Sequence, residues 1–170
     1  MEIWEAKNLI KPLEISCTTP QRWADLGCGS GTFTYALADL LPPYSTIYAF
    51  DKKHQVFKEP GIQFFQLDFE KHSLPVPPLS GILMANSLHF VEDQLELITK
   101  LKEHLSLGGA LVLVEYDTHQ SSKWVPYPVP PEKAKKLAAL AGFKDFKLLA
   151  TKKSIFQGGE IYAMTFTNNT

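Results

Sequence analysis

Trp23-Ala24-Asp25-Leu26-Gly27-Cys28-Gly29-Ser30-Gly31-Thr32 is the stretch whose reading decides the fold. Residues 22–26 make a short run of the length and apolarity of a buried strand, and three glycines at alternate positions follow it. The next segment places Phe33, Ala36, Leu37 and Leu40 on one face of a helix, which Pro42-Pro43 stops. Strand, glycine turn and helix in that order bring bare backbone close to any ligand. The start of the helix adds unpaired N–H groups and the positive end of its dipole, an arrangement suited to an anionic group.

Working outward, further strands are expected at residues 46–50, 62–67, 81–85 and 110–115. The last of these is nearly all apolar, as a strand covered on both faces should be. A helix carrying Leu95, Ile98, Leu101 and Leu105 is expected before it, closed by Gly108-Gly109. Beyond it, Pro126, Pro128, Pro130 and Pro131 make an extended segment, with Pro131 suited to the first turn of a helix. That helix should bury Ala134, Leu137, Ala138 and Ala141 and end at Gly142. Strands near residues 146–150 and 161–166, joined by Gly158-Gly159, read as a hairpin. Alternating strands and helices imply a parallel sheet with right-handed crossovers. The expected fold is α/β: a doubly wound, mostly parallel seven-stranded sheet with a C-terminal antiparallel hairpin, in one domain over residues 1–170.

Composition narrows the class. Apolar residues make up 45% of the chain and charged residues 21%, which suits a globular domain. No apolar run approaches the ~20 residues of a membrane helix. Glu2 and Glu5 near the start do not fit a secretion signal. Cys17 and Cys28 are too few for a disulfide framework and badly spaced for zinc, so no metal is expected and a reducing, cytoplasmic setting fits. A net charge of -1 argues against non-specific nucleic-acid binding over the whole surface. From Ser121 onward, however, eight lysines face only Glu132, Asp145 and Glu160. They read first as a solvated face.

Ligands of open α/β sheets bind beyond the carboxyl ends of the strands. The second strand runs into Asp51, roughly twenty residues past the glycine loop, where an acid commonly bonds a ribose diol. The third is followed by Asp68 and Phe69, an acceptor and an aromatic of the kind an adenine ring needs. Any one of these could be an ordinary turn. Their conjunction on successive strands is the signal.

The stretch opened above resembles the first motif of the class I S-adenosylmethionine-dependent methyltransferases. Leu67-Asp68-Phe69-Glu70, Leu74-Pro75 and Met84-Ala85-Asn86-Ser87-Leu88-His89-Phe90 are similar to that family's third and fourth motifs. The likeness runs from about residue 22 to residue 116. It implies S-adenosyl-L-methionine as cofactor, with its methionine part held by Asp25, Gly27, Cys28, Gly29 and Gly31. It also implies ribose hydroxyls on Asp51 with Lys52 beside it, the adenine amino group on Asp68, Phe69 beside the ring, and Asn86 near the reacting methyl. One departure is Leu79-Ser80, where many relatives have Phe-Asp.

Methyl transfer from a sulfonium needs no acid to help the leaving group, so the lack of a catalytic triad says little. His89 is the first candidate base, because it follows the fourth strand close to the expected methyl; packing between Leu88 and Phe90 is the alternative. His119 ranks below it. Trp124 and Tyr127 either wall an acceptor or seal the sheet beside the last helix. Short connections and a short N-terminal segment leave little material for a lid, so the site is expected to be open to a bulky substrate or a closing partner.

The leading expectation is a methyltransferase acting on a small-molecule acceptor. RNA or protein substrates, or a non-catalytic scaffold of the same fold, are the alternatives. The glycine spacing disfavours an NAD enzyme, whose fingerprint wants its third glycine one residue later.

Overall fold

The computed structural model describes residues 1–155 and 158–170. Seven strands form one sheet in the order β3-β2-β1-β4-β5-β7-β6. They are β1 (Arg22–Leu26), β2 (Thr46–Asp51), β3 (Ile62–Gln66), β4 (Leu79–Ala85), β5 (Leu105–Asp117), β6 (Asp145–Lys153) and β7 (Glu160–Thr167). The helices are α1 (Ile3–Ile10), α2 (Thr32–Ala38), α3 (Gln94–Lys102) and α4 (Pro131–Leu140). Pairs among β1 to β5 are parallel, while β7 runs antiparallel to both β5 and β6. The doubly wound sheet and its terminal hairpin are therefore as the sequence predicts.

The period of two along the strands divides the core into two layers. Ala24, Leu26, Ile82, Met84, Leu111 and Leu113 face the layer of α3 and α4. Trp23, Leu83, Val112 and Val114 face the layer of α1 and α2. Each fully buried aliphatic side chain contributes ~1.5–3 kcal/mol, so the two layers fix the strand order firmly. Irregular chain, not helix, carries the crossovers at residues 52–61 and 67–78.

Two local readings need correction. Residues 3–10 form a helix that the sequence reading left as a short segment; Glu5 accepts the Glu2 N–H at 2.8 Å, and Ala6, Leu9 and Ile10 are buried. The helix before β5 ends at Lys102, so Gly108-Gly109 does not close it. Leu105 already belongs to β5, and the glycines form a bend inside that strand. Asn168 clamps this bend: its carbonyl accepts from Gly108 at 2.6 Å, its N–H donates to Gly109 at 2.8 Å, and its amide donates to Leu105 at 3.1 Å. Elsewhere Asp93 caps α3 through the Glu96 N–H, and Pro131 opens α4 as expected.

Candidate functional site at the carboxyl ends of the strands

The glycine loop is tied to the end of β2. Phe50 O accepts the N–H groups of Gly27 and Cys28 at 2.8 and 3.0 Å, and the Asp51 carboxylate accepts those of Gly29 and Lys53 at 2.9 and 2.8 Å. Loop and acid thus form one unit. Gly27 has φ +77°, and a Cβ there would lie 2.6 Å from the Ser87 Cβ. Ser87 in turn donates to Leu26 O at 2.7 Å, so the ends of β1 and β4 meet over this bare backbone. Cys28 is buried, which pushes its thiol above the usual range and leaves it inert.

Asp25 is 1% exposed and accepts the Thr34 hydroxyl at 2.6 Å. Burial raises its carboxyl to about 7, against the pull of the Thr34 hydrogen bond and helped by the nearby Asp51 charge. Asp68 accepts the Glu70 N–H at 3.1 Å and faces Lys52 and Lys71 at 3.4 and 3.7 Å. Its carboxyl stays below the usual value: desolvation acts upward, and the Glu70 N–H with the two lysines outweighs it. Lys52 also pairs with Glu70 at 2.9 Å. Phe69 lies in the core against the α3 and α4 layer.

Asn86, just past β4, has φ +52°, and its Oδ1 is fully buried with no partner among the described residues. A desolvated acceptor costs about 1–3 kcal/mol if nothing satisfies it. Above Gly29 there is open space, with nothing within 4 Å of a built Cβ. An orphaned acceptor, room over the loop and acids at successive strand ends fit the nucleoside cofactor that the resemblance implies.

His89 sits in a 3₁₀ turn over Leu88–Phe90 and is 2% exposed. Its Nδ1 lies 2.6 Å from Glu115 Oε2, and its backbone N–H donates to Glu115 Oε1 at 3.2 Å. Glu115 itself is 1% exposed at the end of β5. Phe90 and Tyr116 flank the imidazole, with ring centroids 4.4 and 5.8 Å away. Tyr127 donates its N–H to His89 O at 2.9 Å, and Gln94 bonds both Leu88 O and Tyr127 O. Sequence reasoning did not single out Glu115. A carboxylate ending an apolar strand was the signal, the same one that marked Asp51. His119 instead pairs with Glu132 at 3.0 Å on the surface. A groove of about 570 Å³ opens at the opposite, amino ends of the strands beside residues 12–21, away from all of this chemistry.

A methyltransferase-domain family model matches residues 5–145. Curated relatives include trans-aconitate 2-methyltransferase of Pseudomonas aeruginosa, 31% identical over 108 residues, which cover 61% of this chain and 38% of that protein. The chain thus spans well under half the length of these relatives. Human N-acetylserotonin methyltransferase, solved in complex with SAM, has a similar fold at TM-score 0.72 and 22% identity, covering 98% of this chain and 52% of that one. The YcgJ protein of Bacillus subtilis is similar at TM-score 0.75 and 13% identity, covering 98% and 99%.

Proposed function

This chain belongs to the family of methyltransferase domains, and on that premise we propose that it transfers a methyl group from S-adenosyl-L-methionine to a small-molecule acceptor. The observation that carries the reading is the buried His89–Glu115 pair, 2.6 Å apart, at the ends of β4 and β5, where β4 also delivers the orphaned Asn86 oxygen. The cofactor supplies a methyl on a sulfonium, already activated toward a nucleophile. The residues of the chain do the rest. Asp25 and the loop from Gly27 to Gly31, with Asp51, Lys52, Asp68, Phe69 and Asn86, bind and orient the cofactor.

Glu115 holds His89 through Nδ1, which fixes the tautomer with its proton on that nitrogen and leaves Nε2 as the proton acceptor. Nε2 would take the proton of an acceptor that must lose one. Alignment of the two reactants can supply ~7–11 kcal/mol of the barrier. A positioned base adds about 10²–10⁴-fold for an acceptor that must lose a proton.

The test is thermal unfolding with S-adenosylmethionine, S-adenosylhomocysteine or NAD. At 100 times its dissociation constant a ligand adds ~2.7 kcal/mol, read as a raised Tm. Both sulfur nucleosides are expected to raise it. Stabilisation by NAD and by neither of them would overturn the reading.

A further inference from the structure

Trp124 is 71% exposed, although the turn that carries it is anchored on both sides. Val125 beside it is buried, Ser122 Oγ accepts the N–H groups of Trp124 and Val125 at 3.3 and 3.1 Å, and Ser121 bonds Pro126 O at 2.7 Å. The indole therefore seals nothing, and its turn is not loose. Tyr127, three residues on, is bonded to His89 O, and three residues of chain span at most about 11 Å. Phe90, half exposed, flanks His89 from the other side. Open aromatic surface thus lies on two segments that meet at the His89 main chain. An exposed apolar patch of this kind marks a contact surface.

The charges of the same segments are mostly negative. Residues 86–93 and 115–133 carry Glu92, Asp93, Glu115, Asp117 and Glu132 against Lys123, whose ammonium lies 5.6 Å from the Trp124 ring centroid, and Lys133, which donates to Pro128 O at 2.9 Å. Glu115 and Asp117 stand opposite Tyr162 and Glu160 at the end of β5, and Glu132 faces His119 at 3.0 Å. The chain's one arginine, Arg22, stands at the amino end of β1, where its Nε bonds Pro78 O. Of the lysines near the other strand ends, Lys52 and Lys71 are engaged by Asp68, and Lys152 by Glu5. A polycarboxylate is recognised by guanidinium forks or clustered ammonium groups. This rim presents an excess of carboxylates, with rings, and no guanidinium.

We infer that the acceptor received beside His89 is a flat, uncharged or cationic molecule, and that ionised polycarboxylates are rejected. The inference rests on the methyl-transfer reading and sets this chain apart from the relatives named for trans-aconitate. In the transfer, the acceptor's oxygen or nitrogen bonds the methyl as the carbon–sulfur bond breaks. The sulfur keeps that electron pair, and the acceptor's proton goes to His89.

The experiment is a ligand-observed NMR titration of the S-adenosylhomocysteine-loaded protein with catechol, tyramine and trans-aconitate. Catechol and tyramine are expected to bind saturably, and trans-aconitate at least about tenfold more weakly at low salt, the gap narrowing as salt screens the rim. Trp124→Ala should weaken tyramine about tenfold, an effect of aromatic contact plus buried area. The charge reversal Asp117→Lys with Glu132→Lys should strengthen trans-aconitate by a similar factor. Trans-aconitate binding as tightly as tyramine, or neither ring compound binding, overturns the inference. Calorimetry of S-adenosylhomocysteine, run first, keeps the two readings apart. Its failure to bind defeats the cofactor assignment, whereas its binding together with a preference for trans-aconitate defeats the acceptor class alone.

Discussion

Around β1 and β2 the rim of the sheet is held through main-chain N–H groups: Phe50 O takes two from the glycine loop, and the Asp51 carboxylate takes the next one along with that of Lys53. Around β4 and β5 it is held by side chains: Glu115 grips His89 at both its ring and its backbone, and Gln94 ties that turn to Tyr127. The first half presents a shape that hardly depends on side-chain identity, apart from its glycines and acids. The second half depends on a few particular side chains, each replaceable by one substitution. A fold built in this way keeps its cofactor while its acceptor changes.

The largest expected effect breaks the side-chain half. His89→Gln should lower single-turnover methyl transfer by roughly 10²–10⁴-fold while cofactor affinity by calorimetry stays nearly the same. Glu115→Gln should follow it in part, because the imidazole loses the carboxylate that holds its Nδ1 and its backbone N–H. Equal loss of cofactor affinity in either variant would join the two halves into one. The main-chain half should break differently. Gly27→Ala forces a side chain into positive φ and against Ser87, and is expected to cost about 3 kcal/mol in denaturant unfolding, with cofactor binding lost as well.

Smaller effects sharpen the contrast. Asp51→Ala should weaken the cofactor tenfold or more by calorimetry, since a charged hydrogen bond contributes ~1.5–3 kcal/mol, in a chain that remains folded. Asp25 gives a slope with pH instead of a loss. Its folded value of about 7 lies above the ordinary 3.8, so the folded chain holds the proton more tightly between them. The stability it contributes is full below the unfolded value and is lost as pH rises through about 7. Tm should therefore fall between pH 5 and pH 7.5 by scanning calorimetry, and Asp25→Asn should flatten that fall.

The same contrast explains what could be read in advance. The glycine loop, Asp51 and Asp68 announce themselves because each is a strand end followed by a turn, a signal contained in a few consecutive residues. Glu115 and His89 lie 26 residues apart and meet only when β5 pairs beside β4. Leu105 misleads because its spacing continues the α3 periodicity while its backbone has already entered the strand, where it packs into the same core. Helix α1 is short; Ala6, Leu9 and Ile10 do fall at helical spacing behind a Glu2–Glu5 capping box, a signal the reading passed over. The exposure of Trp124 was equally undecidable from sequence, since a wall and a seal demand the same residue.

The terminal hairpin has a consequence of its own. Beyond Val114, β5 has outrun its pairing with β4, and Glu115 is matched only to Tyr162 of β7. Tyr162 also fixes the proline segment by donating its hydroxyl to Val129 O at 2.5 Å. One residue of β7 thus sets both the height of the carboxylate behind the imidazole and the position of the segment that ends in Tyr127. The hairpin works as a caliper: it carries no reacting group, yet a slip of two residues in its register would displace the acid by about 7 Å. Damage there would be felt first as lost precision between partners, in an otherwise intact cofactor site.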